Sequence, residues 1–172
     1  NMRAQKRFCF ILSALALFEF SGVLHAQSQE TTQPALYYIL DASGSMWGRV
    51  QGELKIAVAK STLSRLMQET PTGTVVGLTA YGHRRQADCS DIEELSPLSP
   101  VNPQLLNEKI MALTPRGKTP LSQSIEFAAG VLKDNGYDAT IVLVSDGIET
   151  CQKDPCAVTK ALKESGANFR LH

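Results

Sequence analysis

Two apolar runs constrain the fold of this chain more than any other feature. "ALYYIL" (35–40) stops at Asp41, and "ATIVLV" (139–144) gives way to Ser145 and Asp146. Both have the aromatic and β-branched content of buried strands, and the second reads as covered on both faces, as strands of parallel sheets are. Around them, helical and strand periods alternate. In 53–68, Ile56, Ala59, Leu63, Leu66 and Met67 fall on one helical face, and "TVVGLTAY" (74–81) is a second strand. Strand, helix and strand in succession predict a parallel pair, since the crossover helix lets the second strand run in the direction of the first. The stretch 82–100 is polar and irregular, with a short edge strand expected near 92–95. Asn102 is placed to cap a helix that starts with Pro103 and ends near Leu113. Further helices are expected over 120–134, stopped by Gly136, and from Pro155 to Gly166, after which "ANFRLH" opens a strand. The pattern predicts an α/β fold, an open, doubly wound, mostly parallel Rossmann-like sheet. Ligands of such sheets bind beyond the carboxyl ends of the strands. Asp41 and Asp146 each lie at such an end.

A chain of 172 residues suffices for one domain with a proper core. Its first part reads as an address. Met2 to Arg7 is basic, 8–18 is apolar and "SGVLHA" ends at an alanine suited to a signal peptidase, so 2–26 is expected to be a secretory signal. Residues 27–34 then form a polar linker and 35–172 the domain. The apolar run is too short to span a bilayer. Membrane contact is therefore expected only through an uncleaved signal or a segment beyond His172. The final strand has no turn or covering helix after it, and the expectation is a domain truncated at its C-terminal side, lacking its last elements.

Acidic and basic residues number 17 each; setting aside Arg3, Lys6, Arg7 and Glu19 leaves 14 basic against 16 acidic. That balance argues against nucleic acid as a partner. Export, to the periplasm or to the medium and cell surface, would carry Cys89, Cys151 and Cys156 into oxidising surroundings. Cys151 and Cys156 in "TCQKDPC" are close enough to close a small loop and are the expected disulfide, with Cys89 left for a residue beyond His172. No four-ligand set argues for zinc at these cysteines.

The segment "DASGSMWG" (41–48) places Asp41, Ser43 and Ser45 at alternate positions, which turns their side chains to one side, while Gly44 lets the chain bend. Asp146 and Thr119 of "RGKTPL" complete an all-oxygen set. Such a set suits a hard cation: Mg²⁺ most of all, with Mn²⁺ or Ca²⁺ as alternatives. Most of its members are neutral, so a bound divalent ion would stay electrophilic and could accept a carboxylate from outside. Singly each piece has a simpler reading, with 43–45 a polar turn, Thr119 a helix N-cap and Asp146-Gly147 a turn pair. Jointly, with both acids at strand ends, they argue for a metal site.

In their order and spacing, "DASGS" after a strand, Thr119 in "RGKTPL" and Asp146 in "VLVSDG" resemble the metal-ion-dependent adhesion site of von Willebrand factor A domains. The resemblance covers roughly 35–172 and is to a group of exported bacterial A-domain proteins in particular. It implies direct metal ligation by Ser43, Ser45 and Thr119, with Asp41 and Asp146 acting directly or through water. A protein ligand with an exposed Asp or Glu would complete the coordination, and no catalysis is implied. It also implies a short antiparallel edge strand within 82–100. Trp47, just past the oxygen loop, and Arg84 and Arg85 of "GHRR" belong on the rim of the same face. There they either touch the ligand or simply pack and stay solvated.

Two enzyme readings compete. A phosphatase of the haloacid dehalogenase type would use Asp41 as nucleophile, but its motif needs a second Asp where Ser43 stands. "ALTPRGKT" resembles a phosphate-binding loop, yet Ala112 replaces the first glycine and the preceding chain reads as helix rather than strand. There is no Gly-x-Ser-x-Gly elbow. His25 falls in the signal, and His83 and His172 have no neighbour in sequence that would mark a triad. The third alternative is a structural A domain whose site stays empty.

Overall fold

The computed structural model describes residues 34–172. The expected signal and all but the last residue of the expected linker lie outside the described residues. At the centre stands β1 (Pro34–Asp41). On one side it pairs in parallel with β4 (Val75–Tyr81), and on the other with β6 (Asp138–Val144). Outside β4 runs the antiparallel edge strand β5 (Ile92–Pro100), and outside β6 the short parallel β7 (Phe169–Leu171). The order is β5-β4-β1-β6-β7. β5 is longer than its polar sequence suggests. Its prolines, Pro97 and Pro100, are tolerated because an edge strand need not donate on both sides.

Alternation in β1 sends side chains to two faces, and helices cover both. Tyr38 and Leu40 face the first layer with Val76, Leu78 and Ala80 of β4. There they meet Ile56, Ala59, Leu63 and Met67 of α1 (Lys55–Glu69), and Leu106 and Ile110 of α2 (Pro103–Ala112). Tyr37 and Ile39 face the second layer, against Ile125, Ala128, Ala129 and Leu132 of α3 (Leu121–Asp134). The fold is therefore the doubly wound, mostly parallel α/β sheet. One close approach fixes a glycine: a methyl on Gly77 would lie 2.5 Å from the Tyr37 ring, so β4 has room for that ring only without a side chain there.

Two further details depart from the sequence reading. The helix expected over 53–68 is preceded by a two-stranded hairpin, β2 (Arg49–Val50) and β3 (Glu53–Leu54), and starts only at Lys55. Gln51 (φ 51°) and Gly52 (φ 89°) supply the paired positive φ angles that a tight hairpin turn needs. Secondly, β6 is not covered on both faces along its whole length, and Val142, Leu143 and Val144 are only half-buried. β7 pairs only with the stretch Ala139 to Ile141, and α4 (Pro155–Glu164) buries no side chain completely.

Candidate metal centre

The chain leaves β1 toward β4 on one side and returns by β6 on the other, so the carboxyl ends of β1 and β6 bound the crevice where a doubly wound sheet takes its ligand. Asp41 is the last residue of β1 and is fully buried. Its carboxylate is held from two sides. The Ser43 amide donates to Oδ1 at 2.8 Å, and the Ser145 hydroxyl donates to Oδ2 at 2.7 Å. Ser145 is itself approached by the Tyr81 hydroxyl at 3.2 Å. Burial first, and then the negative charge of Asp41, push the Tyr81 phenol well above its ordinary range, so it stays a hydrogen-bond donor.

Past Asp41 the chain turns through a single 3-10 turn, Gly44–Trp47. Ser43 lies under it and Ser45 on top, with their hydroxyl oxygens 3.0 Å apart. Ser45 Oγ in turn donates to Asp146 Oδ1 at 3.0 Å. Since that proton goes to the carboxylate, Ser43 is the donor to Ser45. Thr119 comes from the loop between α2 and α3 and is 3 % exposed. A methyl built on Gly147 would sit 3.2 Å from Asp41 Oδ2 and 3.5 Å from Thr119 Oγ1, which puts these two oxygens around one point. The five residues singled out in the sequence thus meet: Asp41, Ser43 and Thr119 form a buried floor, and Ser45 and Asp146 a rim open to solvent.

Main-chain bonds hold the loops after β1 and β4 in register with the segment that leads to Thr119. Gly44 N donates to Gly117 O at 2.9 Å, and Gly117 N to Gly82 O at 2.7 Å. Arg116 N is shared between Ala42 O at 3.1 Å and Gly82 O at 3.0 Å. Two glycines permit this approach: a methyl on Gly117 would meet Arg85 O at 2.2 Å, and one on Gly82 (φ +70°) would meet Lys118 O at 2.5 Å. The "PRGKT" segment is therefore a spacer between helices that serves the oxygen floor. It does not have the strand-to-helix geometry of a phosphate loop.

Thr119 is not the helix cap. α3 begins at Leu121 after Pro120, with no side-chain cap from its own flank. Its orphan amide at Ser122 is instead met at 2.8 Å by Glu149 Oε2, from the segment after β6. That segment also receives the Thr119 amide on Thr150 Oγ1 at 2.8 Å and returns the Thr150 amide to Thr119 O at 3.2 Å. Thr119 is oriented by two backbone bonds while its hydroxyl stays free of capping duty. Sequence reasoning missed Glu149, Thr150, Ser145 and Lys55, whose ammonium pairs with Asp146 Oδ2. Of these only Ser145, in "VSDG", carried a local signal.

The donor set fits a hard divalent cation by its chemistry. It has two carboxylates, three hydroxyls and no sulfur or imidazole; among the described residues no group of three or more His, Cys, Asp or Glu converges, here or elsewhere, so the case for a cation rests on the hydroxyls together with the two acids. The Lys55 ammonium resting on Asp146 marks the same place as one that attracts positive charge. A sequence model of the von Willebrand factor type A domain matches residues 36–149. The chain belongs to that family. Among relatives of this A domain is the uncharacterized protein YwmD of Bacillus subtilis, 29% identical over 170 residues, spanning 92% of this chain and 74% of YwmD. Among solved structures, the vWF domain of the type V pili tip protein Mfa5 from Porphyromonas gingivalis superposes with a TM-score of 0.54 at 22% identity, covering 69% of this chain and 39% of that one. The manganese-loaded TRAP protein of Plasmodium vivax superposes with a TM-score of 0.58 at 18% identity, covering 81% and 56%. The A domain here thus spans well under two thirds of the solved chains it resembles.

At the rim of the A domain, Trp47 is 51% exposed, and its indole donates to Pro115 O at 2.9 Å, which pins the ring edge and leaves a face open. Arg84 and Arg85 are engaged within their own loop. Arg84 Nε reaches Asp91 Oδ1 at 2.7 Å, and Arg85 Nη1 reaches Asp88 Oδ2 at 3.0 Å. Asp91 is fully buried. Burial alone would raise its carboxyl, but the Arg85 and Arg84 amides and the Arg84 guanidinium outweigh it and hold it below its ordinary value.

The disulfide joins Cys89 to Cys151, with their Cα atoms 5.7 Å apart, and not Cys151 to Cys156. Cys89 therefore has its partner within the domain. The physical reason lies at the start of α4. The Asp154 carboxylate caps the Cys156 amide at 2.9 Å and takes Cys156 into the first helical turn, where its thiol is free and exposed. Gln152, at φ 63°, turns the chain between the two cysteines.

Proposed function

We propose that this A domain binds a divalent cation, Mg²⁺ in the first place, through Asp41, Ser43, Ser45, Thr119 and Asp146, and with it holds an exposed Asp or Glu of a protein partner. The observation that carries this reading is the convergence of five oxygen-bearing side chains from three loops, with the floor buried and the rim open. When bound, the cation supplies an electrophilic position for an outside carboxylate. Three of the five residues that would hold it offer neutral hydroxyls, so little of its charge would be cancelled. Asp41 supplies fixed charge from below, Asp146 from the rim. Trp47 offers an apolar surface beside the site for the partner's flanking residues.

The neighbours support the reading as far as their names go: TRAP has been solved manganese-loaded, and Mfa5 is a pilus tip protein. A binding module is favoured over an enzyme by the surroundings of Asp41. Its carboxylate is anchored by one hydrogen bond on each oxygen, from Ser43 and Ser145, which leaves lone pairs for a cation, while Ser43, where a phosphatase would need a second Asp, cannot serve as acid and base. Export fits the signal-like start and a disulfide that needs an oxidising compartment. Among the described residues no helix is long and apolar enough to cross a membrane.

The test is calorimetric titration with Mn²⁺. Wild type should bind, and Asp41→Ala should lose binding while remaining folded, because the buried floor loses its only carboxylate. Unchanged affinity in folded Asp41→Ala removes Asp41 from the site. Turnover of a generic phosphate ester with Mg²⁺ would replace the binding function with a hydrolytic one.

A further inference from the structure

Lys55 is a cation at the wrong end of its helix. It is the first residue of α1, where unpaired amides favour negative charge, and the first turn contains no acid to offset it. Leu54 before it provides no side-chain cap. The fold nevertheless takes trouble to put it there. The β2–β3 hairpin carries the chain out and back, so that the Lys55 amide donates to Gly48 O at 2.9 Å. A methyl on Gly48 would lie 3.3 Å from Lys55 Cε and 3.5 Å from Cδ, so the lysine stem runs across a glycine that leaves room for it. At the end of that stem the ammonium pairs with Asp146 Oδ2, while Ser45 holds Oδ1. The Asp146 side chain is 15% exposed and that of Lys55 32%. The pair is thus sheltered enough for its charges to be felt.

We infer that Lys55 is a positioning residue that shares Asp146 with the metal and thereby sets the domain's metal affinity low. The inference rests on reading the oxygen cluster as a divalent-cation centre. One of the two carboxylates of that centre is already neutralised by a tethered positive charge, and any cation that takes Asp146 as a ligand does so against that ammonium. Like charges a few ångströms apart in a partly sheltered site repel strongly enough to change affinity by an order of magnitude. The ammonium also steadies the Asp146 rim, so the same residue that restrains metal uptake orders the ligand.

The experiment is Mn²⁺ calorimetry at fixed pH and ionic strength on wild type, Lys55→Gln, Lys55→Arg and Asp41→Ala. Lys55→Met keeps the apolar stem over Gly48 and must agree with Lys55→Gln. Thermal midpoints are read for each variant in chelator and in Mn²⁺. Lys55→Gln should bind Mn²⁺ at least about tenfold more tightly than wild type, which is about 1.4 kcal/mol, and Lys55→Arg should stay near wild type. In chelator Lys55→Gln should melt below wild type, and it should gain more on adding Mn²⁺. A residue that only supported the fold would lose affinity when neutralised, not gain it. Binding by wild type, with Lys55→Gln and Lys55→Met equal or weaker, overturns the inference and leaves the metal centre standing. Failure of all the proteins to bind, the lysine variants included, overturns the metal centre and the inference with it.

Discussion

Removing the Cys89–Cys151 bridge should cost this domain a large part of its stability and loosen the proposed metal centre at once. The bond closes a loop across a sequence separation of 62. In the chain-entropy account a loop of that length is worth about 4 kcal/mol at room temperature. Total stabilities of single domains are of order 5–15 kcal/mol. For a domain of this size each kcal/mol moves the melting midpoint by roughly 2–4 °C, so Cys89→Ser/Cys151→Ser should melt about 8–16 °C lower than the oxidised wild type. The double variant is the right comparison, because a single one leaves an unpaired thiol in addition to that of Cys156. The bridge also has a local effect. Cys151 ends the segment that carries Asp146, Glu149 and Thr150, and its amide is held by Glu149 Oε1 at 2.6 Å. Once untied from the β4–β5 loop, that segment should hold Thr119 and Asp146 less firmly, and Mn²⁺ affinity should fall together with stability. Urea melts of the oxidised and double-variant proteins, with calorimetry on both, measure the two effects. A midpoint change worth less than about 1 kcal/mol would refute the entropic argument, and undiminished Mn²⁺ affinity would refute the link to the site.

Thr119→Asn should fold normally and bind Mg²⁺ poorly, since the cap of α3 belongs to Glu149 and the longer side chain moves its oxygen within a geometry that Mg²⁺ tolerates narrowly; calorimetry with Mg²⁺ checks it, and wild-type affinity would exclude Thr119 as a ligand. Asp91, held below its ordinary value when folded, contributes stability that is present above the ordinary carboxylate range and is lost as pH falls through the lowered value. Melting midpoints taken downward from pH 5 should therefore drop more steeply for wild type than for Asp91→Asn, and parallel slopes would deny Asp91 that role.

The sheet and the five oxygens were legible in the sequence because each rests on a local signal. An apolar run ending in an acid states both the strand and the position of its end, and alternate Asp41, Ser43 and Ser45 state a shared side. What stayed hidden depends on contacts between distant segments. Lys55 reads as one more cation on an amphipathic helix, and nothing near it in sequence points to a partner 91 positions away. Thr119 before a proline looks like a cap, and only the return of Glu149 from beyond β6 relieves it of that role. Cys151 and Cys156 are neighbours along the chain, but the cap at Asp154 commits Cys156 to a helix and leaves Cys89 as the spatial partner. The hairpin at 49–54 is two residues to a strand, too short for a period to show, and the Gln51-Gly52 turn was its one clue. The extent of β5 was hidden by prolines that an edge strand accommodates.

Trp47 is the single tryptophan of the sequence. It follows the serine loop directly, with its ring edge fixed by Pro115 and a face in solvent. Light absorbed by indole in this protein is therefore re-emitted from one address, a few residues from the oxygen floor. The fluorescence of the unlabelled domain is a built-in optical probe of that corner. A partner settling over the serine loop would dry the ring and shift its emission to the blue, while events at the far end of the sheet would leave the spectrum still.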